Sequence, residues 1–250
     1  MIYIKSTEDI KLIKEACEIW KKVKQRLILE TKIGMSTEEL DNIAFSEMQK
    51  YGASASFLGY GDFPKHICIS VNDELIHGIP SNKRIIKDKD MITFDIGVTY
   101  KNHICDSAFT LIMGQNKEAE RINNATWECL YKTIDIVKPG ASVGDLGNMT
   151  ESVAKKNGYE VVKDFTGHGC GNFLHEDPMI PNYGKKNEGI KLKKGMVICI
   201  EPMLLTGSDK YNTDKKNGWT ITSTNHKLTC HNEHMILVTE DGYEILTQTD

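Results

Sequence analysis

The sequence predicts an α+β fold made of two related halves, with helices packed on a mostly antiparallel, curved sheet. Three observations carry that expectation. The order helix, helix, strands runs twice along the 250 residues, the pattern of helices segregated on a sheet rather than of alternating βαβ units. A β-hairpin is legible over residues 91–112. A set of residues also recurs at a fixed offset of 106, as an internal duplication would leave it.

The first helix is announced by Ser6-Thr-Glu-Asp9, a capping box that leads into Ile10, Ile13, Cys17, Trp20, Val23 and Leu27 at helical spacing. A second begins at Ser36-Thr-Glu-Glu39 and stops at Gly52. Next come two runs rich in β-formers, Met91–Tyr100 and His103–Ile112, joined by Lys101-Asn102 as the turn. With that two-residue loop Asp95 falls opposite Ala108, and Asp106, two residues back, shares its face. Two carboxylates therefore leave apolar strands for one space. Like charges so placed cannot both ionise unless a cation lies between them or one takes a proton. A metal ion is the economical answer, although an isolated pair of aspartates more often lies on a solvated sheet face.

The offset then repeats the first half in the second. Lys32, Gly34, Ser36, Leu40, Asn42, Lys50 and Gly52 land on Lys138, Gly140, Ser142, Leu146, Asn148, Lys156 and Gly158, and Glu39 lands on Asp145, which keeps the capping box. Asp95, closing one apolar strand, lands on Glu201, closing another. Two halves, roughly residues 1–113 and 114–250, would thus face each other with Asp95 and Glu201 across a shared cleft. No linker separates them, so residues 1–250 are expected to form a single domain. The Gly/Asn/Lys-rich stretch from Thr206 to Gly218 reads as a loop.

Composition narrows the function classes. A formal charge of -4 leaves no basic field for nucleic acid or anionic lipid. The start Met-Ile-Tyr-Ile turns charged at Lys5, without the apolar core of a signal peptide, and no run approaches a membrane span. Seven cysteines, at 17, 68, 105, 129, 170, 199 and 230, form no Cys-x-x-Cys, so most are expected to be reduced and buried in a cytoplasmic protein.

Three further segments offer metal donors. Thr166-Gly-His-Gly-Cys-Gly171 sets His168 between glycines, where backbone can approach a ligand closely. Glu201 precedes Pro202, which is expected to end the strand with the carboxylate at its tip. Glu233 enters another apolar run, His234–Val238. Four carboxylates and an imidazole suit hard or borderline divalent ions, and shared carboxylates suit two ions close together.

Together, Asn72-Asp-Glu-Leu-Ile-His-Gly-Ile-Pro80, Phe94-Asp-Ile-Gly97, Cys105-Asp-Ser107, Gly167-His-Gly-Cys-Gly171, Leu174-His-Glu-Asp-Pro178, Ile200-Glu-Pro-Met203 and Asn232-Glu-His234 closely resemble methionine aminopeptidases over essentially the whole chain. The short gap from His168 to Glu201 resembles the type I form. The resemblance implies a pita-bread fold, two divalent metal ions (Co, Mn, Fe or Zn) between the halves, and removal of the initiator methionine from nascent proteins whose second residue is small. It implies Asp95, Asp106, His168, Glu201 and Glu233 as metal ligands, with Asp106 and Glu233 bridging and Glu201 also passing the proton. His77 and His175 would meet substrate and the developing tetrahedral centre. Tyr60, Phe63, Cys68 and Trp219 would line the methionine pocket.

Phe57 departs from relatives with Cys there, Phe63 from those with Tyr, and Leu174 from those with an aromatic residue. His231 stands where Gln is commoner, with a surface position as the alternative. The resemblance further implies nascent chains as partners with a transient ribosome contact, a monomer, and no membrane. An X-Pro aminopeptidase or dipeptidase on the same fold is the runner-up, and a non-catalytic binding protein on this scaffold is the third reading.

Overall fold

The computed structural model describes residues 1–249. Its helices are α1 (Thr7–Glu30), α2 (Thr37–Lys50), α3 (Lys117–Ile134) and α4 (Val143–Lys156). The first half holds strands β1 (Ser54–Ala55), β2 (Cys68–Val71), β3 (Glu74–Ile76), β4 (Met91–Tyr100) and β5 (His103–Ile112). The second holds β6 (Glu160–Val161), β7 (Thr166–Gly169), β8 (Glu176–Pro181), β9 (Val197–Ile200) and β10 (Met203–Leu205), then β11 (Tyr211–Thr213), β12 (Ile221–Ser223), β13 (Thr229–His231), β14 (His234–Val238) and β15 (Tyr243–Ile245). Every ladder between these strands is antiparallel.

Both capping boxes form as expected, Ser6 with Asp9 and Ser36 with Glu39, and a third caps α4 through Ser142 and Asp145. Helix α1 lays Ile13, Cys17, Trp20, Val23 and Leu27 into the core. Trp20 fixes its approach by meeting Phe109 edge-on at 6.2 Å and donating from Nε1 to the Ser107 carbonyl at 3.1 Å. The hairpin β4–β5 has the expected register, with Asp95 opposite Ala108 and Asp106 opposite Gly97. Its turn residues Lys101 and Asn102 both have positive φ (48° and 63°), as a turn matched to the twist of a tight hairpin requires.

The duplication is visible in the ladders themselves. Helices α2 and α4 begin and end 106 residues apart. The pairs Ser54–Thr99 and Ala55–Val98 between β1 and β4 recur, at the same offset, as Glu160–Leu205 and Val161–Leu204 between β6 and β10. The bridges Ser36–Ile85 and Ser142–Lys191 repeat likewise.

As Pro202 leads one to expect, β9 ends at Ile200 with Glu201 at its tip, and β10 resumes the same line beyond it. Ile200 pairs with His234 and Met203 with His231 in one unbroken register, so β9–β10 against β13–β14 is the second half's version of the β4–β5 hairpin. The two-residue turn is replaced by an excursion over residues 206–228. Within it the expected loop contains a short strand, since β11 pairs with β12 and β12 with β3; three residues are too few to show a period in a Gly/Asn/Lys-rich sequence. The halves join where β5 meets β13–β14. Glu233 N–H donates to the Ala108 carbonyl (3.0 Å), Ser107 Oγ to the Glu233 carbonyl (2.5 Å) and Thr110 Oγ1 to the His231 carbonyl (2.9 Å).

Candidate active site

Strand parity decides what faces the seam between the halves. On β4, Phe94 and Ile96 point into the main core beneath α1, so Asp95 points the other way. Asp106 lies diagonally from it across the hairpin. Glu201 and Glu233 take facing positions in the gap between the β9–β14 and β10–β13 pairings, and β7, paired to β9 through Gly169–Ile198, delivers His168 beside them. All five residues line one cavity. Asp106, His168, Glu201 and Glu233 are buried and Asp95 is half-buried.

His168 Nε2 lies 3.5 Å from Glu201 Oε1 and 3.8 Å from Asp106 Oδ2. Its Nδ1 faces the Gly169 carbonyl at 3.0 Å, which fixes the tautomer with Nε2 free to accept a cation. Burial pushes the Asp106 carboxyl up to about 8, with Glu201 adding to the shift. Burial also holds Asp95, Glu201 and Glu233 well above the carboxylate range, with neighbouring carboxylates reinforcing it for Asp95 and Glu233. Burial drives His168 and His231 down to about 3. Among the described residues no lysine or arginine pairs with these acids; their only ionic neighbours are His168 and His231. Asp106 Oδ1 and Glu233 Oε1 are buried without a hydrogen-bond partner.

Divalent cations held here would resolve all of this at once. They would supply the missing positive charge, give the orphaned oxygens a partner, and favour the ionised form of the carboxyl groups. The donor atoms of Asp106, His168, Glu233 and Cys199 lie within 4.8 Å of one another. The Cys199 thiol is held protonated by its burial, which leaves hard and borderline O and N donors enough for two divalent ions.

The cavity has a volume of about 290 Å³. Phe57, Phe63, Cys68 and Leu174 pack together on its apolar side, with Trp219 against them. Phe63 meets Trp219 edge-on at 5.2 Å. His77 has a positive φ of 59°, an uncommon conformation that the surroundings must hold in place. Its ring stands edge-on to both Phe165 and Trp219 at 5.8 Å, and loss of solvent lowers it to about 4. His175 lies at the mouth, its Nδ1 2.6 Å from the Tyr60 hydroxyl and its ring edge-on to His168 at 4.3 Å.

Residues 11–240 match metallopeptidase family M24. A methionine aminopeptidase of Mycoplasma capricolum subsp. capricolum is 44% identical over 254 residues, covering 100% of both chains. The crystal structure of the methionine aminopeptidase from Rickettsia prowazekii superposes with a TM-score of 0.97 at 33% identity, covering 99% of this chain and 100% of that one. The chain belongs to the type I methionine aminopeptidases of family M24. The pita-bread fold follows from that membership. The prolidase from Pyrococcus horikoshii OT3 shares the core at a TM-score of 0.79 and 27% identity, but only 64% of its chain is covered.

Every residue singled out from the sequence lines this one cavity: Tyr60, Phe63, Cys68, His77, His175 and Trp219 alongside the five acidic and imidazole donors. Ile76, Phe165 and Met203 line it too and were not foreseen; Ile76 and Met203 reach it through pairing with Ile221 and His231, remote in sequence, and Phe165 enters just ahead of β7. Phe57, Phe63 and Leu174 share one cluster, which keeps this side of the cavity apolar. His231 adds an ionisable group to the cavity lining, and the surface alternative falls away because it is 1% exposed. One expectation needs correction. The glycines beside His168 serve the sheet and not a ligand, because a Cβ on Gly167 would stand 2.3 Å from the Cys199 carbonyl oxygen and one on Gly169 2.4 Å from that of Asp177.

All seven cysteines are buried and unpaired among the described residues. Among the same residues, no helix is long and apolar enough to cross a membrane.

Proposed function

We propose that this chain removes the N-terminal methionine from peptides and nascent proteins whose second residue is small, acting as one catalytic domain over residues 1–250. The observation that carries this reading is a cluster of four carboxylates and two imidazoles at the floor of an apolar cavity of about 290 Å³, in a chain that spans its methionine aminopeptidase relatives from end to end. The cavity's apolar side, formed by Phe57, Phe63, Cys68 and Leu174 with Trp219 against them, suits an unbranched apolar side chain.

Asp95, Asp106, His168, Glu201 and Glu233 would hold the two ions, with Asp106 and Glu233 shared. When bound, the ions lower the pKa of a water molecule and polarise the scissile carbonyl. Glu201 accepts the water's proton and hands it to the departing amine. His77 and His175 donate to the carbonyl oxygen as negative charge gathers on it; the Tyr60 hydroxyl, 2.6 Å from His175 Nδ1, can donate to it, and that tautomer leaves Nε2–H for the task. Tyr60, Phe63, Cys68 and Trp219 surround the methionine side chain. The setting is the cytoplasm, where a monomer meets chains as they leave the ribosome; seven unpaired cysteines support a reducing compartment.

Steady-state assays on Met-Gly, Met-Ala, Met-Lys and Xaa-Pro peptides, with protein dialysed against chelator and reloaded with Mn or Co, test the proposal. Cleavage of the first two only, and only after reloading, is expected. Comparable rates on Met-Lys, preference for Xaa-Pro, or full turnover without metal would each refute it.

A further inference from the structure

His231 is buried at the cavity floor, and neither ring nitrogen has a hydrogen-bond partner. Buried imidazoles normally satisfy at least one nitrogen, because an unpaired one gives up its hydration for nothing. Its Nε2 is 3.4 Å from Glu201 Oε2 and 4.0 Å from Glu233 Oε2. Those are the separations of donors around a shared ion, since ligands held at about 2.0–2.1 Å from one divalent metal stand roughly 3–4 Å from each other. His168 shows the same spacing on the opposite side, with its Nε2 3.5 Å from Glu201 Oε1. Glu201 therefore turns one oxygen to each imidazole.

The topology points to the same role independently. Asp106 pairs with Gly97 and His231 with Met203, and Gly97 and Met203 are related by the 106-residue repeat. His231 thus holds, in the second half, the strand position from which Asp106 enters the site in the first. Its main chain is fixed there by pairing to β10 and by Thr110 Oγ1 at 2.9 Å from its carbonyl.

We propose that His231 is a sixth metal ligand, adding a second imidazole on the Glu201–Glu233 side of the centre. The assignment rests on the metal centre described above. An extra nitrogen donor favours Zn and Co over Mn, whose preferred partners are oxygens.

Proton NMR of the Co(II)-loaded protein reads the ligands directly, because each coordinated imidazole contributes a hyperfine-shifted N–H resonance that vanishes in D₂O. Two such resonances are expected in the wild type and one in each of His231→Gln and His168→Gln. Titration calorimetry should show Zn affinity falling on the order of tenfold in His231→Gln while Mn affinity changes by less than about threefold. X-ray absorption at the zinc edge of the wild-type protein counts imidazoles without any variant and should find two per pair of ions. A single imidazole by NMR and absorption, or equal losses for Zn and Mn, would overturn the assignment. A wild-type protein that binds no divalent ion would instead overturn the metal centre as a whole, and this ligand with it.

Discussion

Lys5→Met should destabilise the protein and loosen the loop that carries His175. The Lys5 and Glu176 side chains are 0% and 1% exposed and form an ion pair. The other Glu176 oxygen accepts from the main-chain N–H of Asn172 (2.8 Å) and Phe173 (3.0 Å), so this one carboxylate ties the loop just before His175 to the segment entering α1. Breaking a buried pair by removing one partner costs about 3–5 kcal/mol, because the remaining charge stays buried. Two N–H groups still solvate Glu176 in the variant, which puts the expected loss near the lower end, about 3 kcal/mol. For a chain of this length that is a fall in Tm of roughly 6–12 °C. Calorimetric unfolding of fully metal-loaded protein measures it, and steady-state kinetics on a Met-Gly peptide should show turnover down roughly tenfold or more as His175 loses its position. Adding Glu176→Gln removes the stranded charge yet leaves an oxygen facing both N–H groups, so the double variant should recover more than half of the lost stability. A loss below about 1 kcal/mol in Lys5→Met, or a double variant no better than the single, would refute the argument.

Asp106→Asn and Glu233→Gln should each lower metal content and turnover together, non-additively, as measured by elemental analysis beside kinetics, because a neutral amide is a poor shared ligand. His77→Ala should keep its metal and approximately its KM while turnover falls on the order of a hundredfold; metal loss in that variant would make His77 a ligand or a support for one. Metal loading at pH 7 should release protons, since Asp106 is pushed up to about 8 and Asp95, Glu201 and Glu233 lie well above their ordinary range in the metal-free protein. Calorimetry in buffers of different ionisation enthalpy detects that release. By the same linkage the metal-free protein should be more stable at pH 7 than at pH 8: there the native state keeps protons on carboxyl groups that the unfolded chain has already lost, worth about 1.4 kcal/mol per pH unit for each proton retained. His77, His168, His231 and His234, lowered to between about 3 and 4, are neutral when folded and each only about one-quarter protonated at pH 7 when unfolded, so their opposing slope is smaller than that of the carboxyl groups. A Tm that rises from pH 7 to 8 in metal-free protein would contradict it.

Legibility in the sequence followed the range of the interaction responsible. Capping boxes at Ser6, Ser36 and Ser142 form within four residues, and the Asp95–Ala108 register is set by a two-residue turn; both could be read locally. The repeat extended that reach, since an offset carries Asp95 to Glu201 without knowledge of the path between them. Other features depended on partners remote in sequence. Nothing near Lys5 announces a buried carboxylate at 176, and nothing near Gly167 or Gly169 announces the carbonyls of Cys199 and Asp177 pressed against them. The strand at Tyr211–Thr213 exists because β12 offers an edge, and at three residues it is too short to announce itself in a Gly/Asn/Lys-rich stretch.

The duplication also explains why the site is lopsided. Under strict two-fold repetition each half would present the same pair of acids, and the facing surfaces would crowd like charges with a single kind of donor. The two hairpins instead diverged at both facing positions. Ala108, opposite Asp95, corresponds to Glu233, opposite Glu201, while Asp106 corresponds to His231. The second half therefore gained a carboxylate where the first has a methyl group, and an imidazole where the first has a carboxylate. Net negative charge is unchanged by that exchange, but its distribution is not: acids concentrate along the seam, where Asp106 and Glu233 meet across the Glu233 N–H to Ala108 carbonyl bond, and neutral nitrogen donors flank them at His168 and His231. Carboxylates in the middle with imidazoles beside them would offer two neighbouring divalent ions a mixed set of oxygen and nitrogen donors, and ions so held would supply an activated water and a polarised carbonyl at the seam where the two halves meet.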